Sequence, residues 1–413
     1  MTIQSLTSSG CPYSLDPTGA DIQGEGAALR VLGPAARILL PGDIPAWSVT
    51  DPDLIRRLLV HPDISKDAHQ HWPAFIERRI PADWPLRHWV DVRNALATYG
   101  AEHRRLWRPL AAAFNVRRVR AMAPQIQAIT DTLLDVLATV GPGEVVDLRA
   151  RFAWPLPLLV VNNVLGAPED MHDDFRDVID MLFDTTLTPE QAAAAPALVN
   201  DLIGQLITRK RRAPGDDVTS QLIDARDAGE LSDEELADSI QLVIGAGHET
   251  TVNLIDHTVV SLLTHPDQLA LVTSGDIEWS QVVEEGLRHQ APIANLLLRF
   301  VVTDVTDPVT GITFERGDAL VVNYAAAGRD PDTHGPTADQ FDITRTTARD
   351  HLAFGHGPHL CLGSELARLE ARTALASLFT RFPNLRLAVT PDQLQPLPSF
   401  ISNGHTRIPT HLG

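Results

Sequence analysis

The pattern of hydrophobic and polar positions divides the chain into a strand-like opening, a long helical series and a strand-rich stretch. Two short apolar runs, ARILLP and AWSVT, predict strands near the start. The segment DPDLIRRLLVHP predicts the first clear helix, because it opens at an aspartate and stops before a proline. Helical patterns resume near Glu102 and recur to about His265, and short strands and turns follow from Leu296 to Val322.

The longest helical pattern, residues 229–266, predicts one helix that crosses the interior of the protein. Ser232 stands three residues before Glu235, which is a capping-box start, and Pro266 ends the run. The second half is apolar nearly all round, as in a helix enclosed by protein. In contrast, the tryptophan-rich residues 71–89 lack a steady period and predict a long irregular loop, which in compact domains tends to be functional.

These patterns indicate a mainly helical fold with a small β-rich portion. No linker, charge block, low-complexity tract or repeat separates the parts, so we expect one domain over residues 1–413. Residues 1–20 are rich in small and polar side chains, and we expect an irregular tail there.

Composition and charge narrow the function. The net charge of −19 repels polyanions, so we expect no nucleic-acid partner. No apolar run reaches the ~18 residues of a membrane span, and the first residues lack the basic and apolar regions of a signal peptide. We therefore expect a cytoplasmic protein without membrane insertion.

The two cysteines need separate explanations, since they lie far apart in a chain without an export signal. Cys11 stands in the tail and is interpreted as incidental. Phe354, Gly357, Cys361 and Gly363 form a Phe-x-x-Gly-x-x-x-Cys-x-Gly spacing directly before a helical pattern that lasts to Pro383. The positive end of a helix dipole favours a thiolate, which is a good metal ligand. The alternative is a buried structural cysteine.

With this loop, the sequence resembles the cytochrome P450 family of haem-thiolate monooxygenases, in its soluble actinobacterial form. The segments CPYSLDPTGADIQGE and GAGHETTVNLIDH are similar to members that hydroxylate steroids or macrolides. The resemblance implies haem b as cofactor, Cys361 as the axial ligand of its iron, and dioxygen as co-substrate. It also implies that Phe354, Gly355 and Gly363 lie against the haem.

Two further motifs carry the resemblance. Glu285 and Arg288 form the family's Glu-x-x-Arg, and Arg345 stands at the place of its third member; the resemblance makes this trio structural support beneath the haem. In Ala246-Gly247-His248-Glu249-Thr250-Thr251, small Ala246 and Gly247 make room for dioxygen, Thr250 hydrogen-bonds it, and Glu249 relays protons. The alternatives are a surface acid and a threonine bonded back to its own helix. A zincin motif is excluded, because its second histidine would fall on Val252.

The resemblance also implies partners for the two haem propionates, because buried carboxylates need polar donors. By family position these are His103, Arg299 and His359. Position 107 is Trp107 where the family has arginine, so its indole N–H could replace that donor. Arg108 and His351 are left open as further contacts.

Substrate and partners follow from the same resemblance. An apolar, multi-ring substrate would be enclosed by segments that contribute Trp89, Val90, Val243, Ile293, Ala294, Asn295, Leu296, Phe400 and Ile401, with Asn295 as the polar handle; each could equally be core. No flavin or iron–sulfur motif is present, so electrons from NAD(P)H would arrive through a ferredoxin reductase and a ferredoxin. An acidic ferredoxin would dock on a basic patch made of Arg104, Arg105, Arg108, Arg117, Arg118 and Arg120.

Two alternative functions remain open. One is a haem-thiolate enzyme for other oxidative chemistry, such as ring coupling or peroxide-driven oxidation. The other is a non-enzymatic haem binder or gas sensor, which would need no acid and alcohol pair.

Overall fold

The computed structural model describes residues 12–183 and 189–413. Within these residues the helices, in chain order, are α1 (Ile22–Leu32), α2 (Pro52–Val60), α3 (Ala68–His71), α4 (Pro73–Ile76), α5 (Gly100–Ala113), α6 (Val116–Ala121), α7 (Ala123–Leu137), α8 (Pro155–Leu165), α9 (His172–Phe183), α10 (Pro189–Arg212), α11 (Val218–Asp227), α12 (Asp233–Gly247), α13 (Glu249–Thr264), α14 (Pro266–Thr273), α15 (Trp279–His289), α16 (Tyr324–Gly328), α17 (Pro331–His334) and α18 (Ser364–Arg381).

The strands are short and form three sheets in the described part of the chain. They are β1 (Tyr13–Ser14), β2 (Ala35–Leu40), β3 (Ile44–Val49), β4 (Ile64–Ser65), β5 (Val146–Asp147), β6 (Asn295–Val301), β7 (Val305–Thr306), β8 (Thr313–Phe314), β9 (Ala319–Asn323), β10 (Arg386–Leu387) and β11 (Pro409–His411). The main sheet has the order β1-β2-β3-β9-β6-β4. Two smaller sheets join β10-β11-β5 and β7-β8. The expected mainly helical fold with a small β-rich portion is confirmed.

The largest apolar core lies among the long helices. Ile126 of α7, Val160 of α8, Ile240 of α12, Ile255 of α13 and Leu375 of α18 are all buried members of one cluster. Two further clusters cover the two sides of the main sheet. The strand β6 lies inside the main sheet, between β9 and β4.

The long interior helix differs from its prediction, because it is two helices that meet at His248. The capping box at Ser232 and Glu235 is present, and α12 begins there as expected. At His248 the backbone angles (φ −92°, ψ −78°) deviate from regular helix values while staying in the right-handed region, and α13 starts at the next residue. Apolar periodicity continues through both helices, so the pattern contains no sign of the break.

Two other expectations need adjustment. Residues 71–89 are not irregular throughout, since α4 and a 3-10 turn at Arg87–Trp89 lie within them. In the expected tail, residues 1–11, including Cys11, lie outside the described residues. Residues 12–20 include β1, which pairs with β2 in parallel.

Candidate active site

The cysteine loop has a conformation that requires glycine. Gly355 and Gly357 have φ values of +75° and +72°, which side chains rarely adopt. A Cβ atom on Gly357 would also lie 2.7 Å from Cγ1 of Val60 on α2. The loop then returns on itself, and the amide of Cys361 donates to the carbonyl oxygen of Phe354 at 2.9 Å. This turn places Cys361 just before α18.

The Cys361 thiol is accessible at the surface that the loop forms. Its side chain is free and exposed, yet enough protein surrounds it that burial raises the pKa of the thiol. The Gly363 amide and the charge of Arg368 act in the opposite direction but do not outweigh burial. The expected effect of the helix dipole is therefore not dominant here. A bound cation would keep this sulfur as a thiolate, since a coordinating thiol is deprotonated.

A cluster of four basic side chains includes one from the cysteine loop; three of them are buried and the fourth, His359, is half-buried. Lys66 follows β4, His103 lies on α5, Arg299 on β6 and His359 in the 3-10 turn of the cysteine loop. The rings of His103 and His359 have centroids 4.0 Å apart. Lys66 donates to the carbonyl oxygen of Leu297 at 2.9 Å. Nε2 of His103 and Nε of Arg299 have no hydrogen-bond partner in the described part of the chain.

The basic groups of this cluster have no acidic partner among the described residues, and burial disfavours their charged forms. Burial lowers the pKa of Arg299, and burial together with the charge of Arg299 lowers that of Lys66 well below its ordinary value. Burial, then the charges of Arg299 and Arg104, lower the pKa of His103. Burial, then the charges of Arg299, His103 and Lys66, lower the pKa of His359. No described carboxylate forms an ion pair with any of the four, so the site is built for an external anion.

Other expected members of this cluster lie elsewhere or on its edge. Trp107 is one helical turn from His103 on α5 and is 36% exposed. Arg108 pairs with Glu230 at 2.8 Å, which directs its guanidinium to the protein surface. His351 hydrogen-bonds Glu284 at 3.0 Å and is not part of the cluster. Lys66 was missed, because one lysine in a polar segment gives no sign that it is buried.

The acid and alcohol pair lies at the break between α12 and α13. Glu249 is buried and accepts a hydrogen bond from Arg149 at 2.9 Å. Burial raises the pKa of Glu249, and Arg149 only partly offsets this. The Thr250 hydroxyl donates to the carbonyl oxygen of Ala246 at 2.8 Å. The surface-acid alternative is excluded, whereas the threonine is bonded back to its own chain, as the other alternative described.

The two small residues before this pair serve different purposes. Ala246 is exposed on the same open helix face as Thr250. A Cβ atom on Gly247 would lie 2.9 Å from Cγ2 of Val161, so its small size lets α12 pack against α8. The packing of Gly247 against Val161 is a second reason for a small residue there, and the expected role of both residues in making room for dioxygen stays a prediction.

Arg149 connects Glu249 to a buried polar network that sequence reasoning missed. It also donates to Asp256 at 2.7 Å, and Asp256 hydrogen-bonds His405 at 2.5 Å. Asp256, His257 and His405 could hold a metal ion by their geometry, the one such group among the described residues. Arg149 already occupies Asp256, so a cation there would meet a fixed positive charge. The available sequence signal was weak, since Asp256 stands alone in an apolar stretch but Arg149 has Asp147 and Arg151 close by.

The Glu-x-x-Arg pair is fully buried. Arg288 donates to both carboxylate oxygens of Glu285 at 2.6 and 2.7 Å, and neither side chain is exposed. Arg345 lies 3.5 Å from Glu285 and donates to the carbonyl oxygens of His334 and Thr337. The structure thus brings the expected trio together and ties it to the segment before the cysteine loop.

The proposed pocket residues fall into different parts of the core. Five of them share one apolar cluster, namely Trp89, Val90, Ile293, Phe400 and Ile401. Val243, Ala294 and Leu296 belong to other clusters. Asn295 is buried, and its amide donates to the carbonyl oxygen of Phe400 at 2.8 Å. Its Oδ1 accepts no hydrogen bond from a described residue.

The basic patch is smaller than its sequence suggests. Arg105 pairs with Glu102 and Glu235, Arg108 with Glu230, and Arg118 with Asp216. The remaining exposed arginines, Arg104, Arg117 and Arg120, form no ion pair with a described residue. No helix in the described residues is long and apolar enough to cross a membrane.

Comparison with known proteins decides the family. Residues 279–403 match the family model described as cytochrome P450. A 2-hydroxy-5-methyl-1-naphthoate 7-hydroxylase of Streptomyces carzinostaticus is 40% identical over 403 residues, covering 97% of this chain and 98% of the relative. This chain belongs to the cytochrome P450 family. It is accordingly an oxidoreductase of the monooxygenase type, as the cysteine loop indicated.

Solved cytochrome P450 structures match over nearly the whole chain. CYP154A1 of Streptomyces coelicolor A3(2) is 51% identical, with a TM-score of 0.90 and coverage of 97% of this chain and 100% of that chain. A testosterone-bound CYP154C4 of Streptomyces sp. ATCC 11861 is 41% identical, with a TM-score of 0.93 and coverage of 98% and 99%. The fold expected from the resemblance is therefore confirmed.

The residues present fit the haem that this family uses. A cytochrome P450 needs one thiolate for the iron and buried donors for two carboxylates. Cys361 supplies an accessible sulfur, and the cluster of Lys66, His103, Arg299 and His359 supplies basic hydrogen-bond donors that have no carboxylate partner among the described residues. Each requirement of the cofactor thus meets an unsatisfied group of the protein.

Proposed function

We propose that this protein hydroxylates an apolar small molecule, with a steroid as the first candidate and a macrolide or other secondary metabolite as the next. The observation that carries the proposal is the accessible Cys361 thiol, together with four basic side chains that have no carboxylate partner among the described residues. One atom of dioxygen enters a C–H bond and the other leaves as water, with two electrons and two protons consumed.

In this proposal Cys361 would ligate the iron, while His103, Arg299, His359 and Lys66 would hold the propionates. The haem supplies the oxidation itself. The protein would fix its orientation, because these four basic side chains come from separate segments of the chain. Trp107 remains a further donor on the same face of α5.

Glu249 and Thr250 would deliver protons. The raised pKa of Glu249 keeps it closer to its protonated form than an ordinary glutamate, which suits a proton donor. Arg149 holds that carboxyl 2.9 Å away and fixes its position beside the helix break. The Thr250 hydroxyl directly follows Glu249 in the chain and lies on the open helix face. It would pass the proton onward from Glu249.

Substrate choice would rest on the apolar cluster around Trp89 and Ile293, which are half-buried, and on Asn295. The Oδ1 atom of Asn295 is an acceptor without a partner in the described residues, and a substrate hydroxyl group could supply one. The naphthoate hydroxylase and the testosterone-bound relative both concern ring systems with polar substituents, which agrees with such a pocket.

Electrons would come from NAD(P)H through a ferredoxin reductase and a ferredoxin in the cytoplasm. Arg104, Arg117 and Arg120 offer positive charge on the surface of a protein whose net charge is −19. An acidic carrier would be attracted to this region and repelled elsewhere.

The direct test is a screen of haem-loaded protein with steroids, macrolides and ring-containing aromatic acids. Binding is read as a change of the haem absorption spectrum, and hydroxylated product by mass spectrometry in the presence of a ferredoxin and its reductase. We expect a steroid to give both signals. Product from macrolides alone would contradict the steroid assignment, and no product from any bound compound would contradict hydroxylation.

A second test concerns Asn295. Asn295→Leu should weaken binding of a hydroxylated ligand about 10-fold, the value of one hydrogen bond of about 1.4 kcal/mol. The same ligand without its hydroxyl group is the matched control and should bind both proteins equally. Equal losses for both ligands would show that the substitution only disturbs the contact with Phe400.

A further inference from the structure

Glu284 on α15 joins three segments around the cysteine loop. Its carboxylate accepts hydrogen bonds from Nε of Arg368 at 2.7 Å and from Nη2 of the same residue at 3.2 Å. It also interacts with Nε2 of His351 at 3.0 Å. Only 5% of the Glu284 side chain is exposed. Arg368 lies on α18 and His351 precedes the loop, so one buried carboxylate holds both ends of the loop.

His351 passes this contact on to the backbone beside Phe354. Its Nδ1 accepts the amide of Ala353 at 3.1 Å, which makes Nε2 the nitrogen that carries a proton and donates to Glu284. The backbone immediately before Phe354 is thereby fixed to α15.

Arg368 acts on the ring of Phe354 from the other side. Its guanidinium carbon lies 4.6 Å from the ring centroid, in a cation–π contact. The carbonyl oxygen of the same Phe354 accepts the amide of Cys361 at 2.9 Å. His351 and Arg368 therefore fix both the ring and the backbone of Phe354. Phe354 in turn is hydrogen-bonded to the amide of Cys361.

We propose that Glu284, His351 and Arg368 form a bracket that positions Phe354 and Cys361, and that the charges of Glu284 and Arg368 set the reduction potential of the haem iron. This inference rests on the proposed role of Cys361 as iron ligand. The three residues are positioning residues, since they act through Phe354 and Cys361. Charges and hydrogen bonds near a ligand sulfur are established controls of haem potentials.

The test is the midpoint potential of the haem-loaded enzyme, measured by spectroelectrochemistry without substrate. Arg368→Gln removes a positive charge near the sulfur, favours the ferric state and should shift the potential to a more negative value. Glu284→Gln leaves Arg368 uncompensated and should shift it to a more positive value. The double variant should lie between the two, because the charges compensate each other.

Arg381→Gln is the matched control. Arg381 also lies on α18 and pairs with a surface aspartate, Asp135, but it is 13 residues further along, about 20 Å of helix. We expect the wild-type potential for this variant. If Glu284→Gln fails to fold, two variants of the half-buried Arg368 still test the inference. They are Arg368→Gln and Arg368→Lys, and the second keeps the charge but loses the planar contact.

Arg368→Lys retains a positive charge, so its potential should stay close to that of the wild type. Because it loses the planar contact with Phe354, its carbonyl complex should convert faster from the thiolate-ligated to the thiol-ligated form. Shifts of Glu284→Gln and Arg368→Gln in the same direction, or no larger than that of Arg381→Gln, would overturn the inference. A wild-type enzyme without any thiolate-type carbonyl band would instead overturn the assignment of Cys361, so the two failures are distinguishable.

Discussion

Replacing Arg299 by methionine should stabilise the haem-free protein and weaken its affinity for haem. The Arg299 side chain is 3% exposed and forms no hydrogen bond or ion pair with any described residue. An uncompensated buried charge costs about 3 kcal/mol, so its removal should raise the free energy of unfolding of the haem-free protein by a similar amount. Methionine retains most of the apolar stem that packs in β6.

Haem affinity should change in the opposite direction. A hydrogen bond to a charged group contributes about 1.5–3 kcal/mol, which predicts a haem dissociation constant roughly 10- to 150-fold larger for Arg299→Met. Urea unfolding of the haem-free protein measures the first effect, and haem titration followed by absorbance measures the second. Arg386→Met, on exposed β10, is the control and should alter neither. A haem-free variant that is less stable than the wild type, or unchanged haem affinity, would refute the reasoning.

Three further predictions concern proton delivery, electron delivery and acid stability. Thr250→Ala should continue to consume reduced cofactor while hydrogen peroxide rises and hydroxylated product falls, because the Thr250 hydroxyl delivers the proton that product formation needs. If Thr251→Ala produces peroxide in place of product and Thr250→Ala does not, the role belongs to Thr251. Arg104→Glu with Arg117→Glu should slow reduction by an acidic ferredoxin at low salt, and an unchanged rate would remove this docking surface. Burial raises the pKa of Glu284, but its hydrogen bonds to His351 and Arg368 lower it overall to about 2, against an ordinary 4.5. Its stabilising contribution, about 3 kcal/mol, should therefore be present above pH 4.5 and disappear toward pH 2, so urea unfolding of wild type and Glu284→Gln should converge over that range.

The sequence predicted those features that depend on local pattern. The capping box at Ser232, the strands β6 and β9 and the helix after Cys361 all follow from periodicity and termini, and all are present. The glycines of the cysteine loop could be recognised by spacing, and the structure supplies the reason, since Gly357 packs against Val60.

Features that depend on contacts between distant segments were not predictable in this way. Lys66 joins Arg299 because β4 pairs with β6, a register that no local pattern contains. Arg149 finds Glu249 across 100 residues of chain. The basic patch was overestimated, since nearby arginines such as Arg105 meet carboxylates from another helix. The sequence showed where the charged residues stand along the chain, but it did not show which residues they pair with.

The most direct test of the account is the carbonyl complex of the reduced, haem-loaded protein. If Cys361 is the thiolate ligand, the wild type shows the red-shifted absorption band typical of cytochrome P450, Cys361→Ser lacks it, and Cys11→Ser retains it. A normal band in Cys361→Ser, or its loss in Cys11→Ser, would contradict the account.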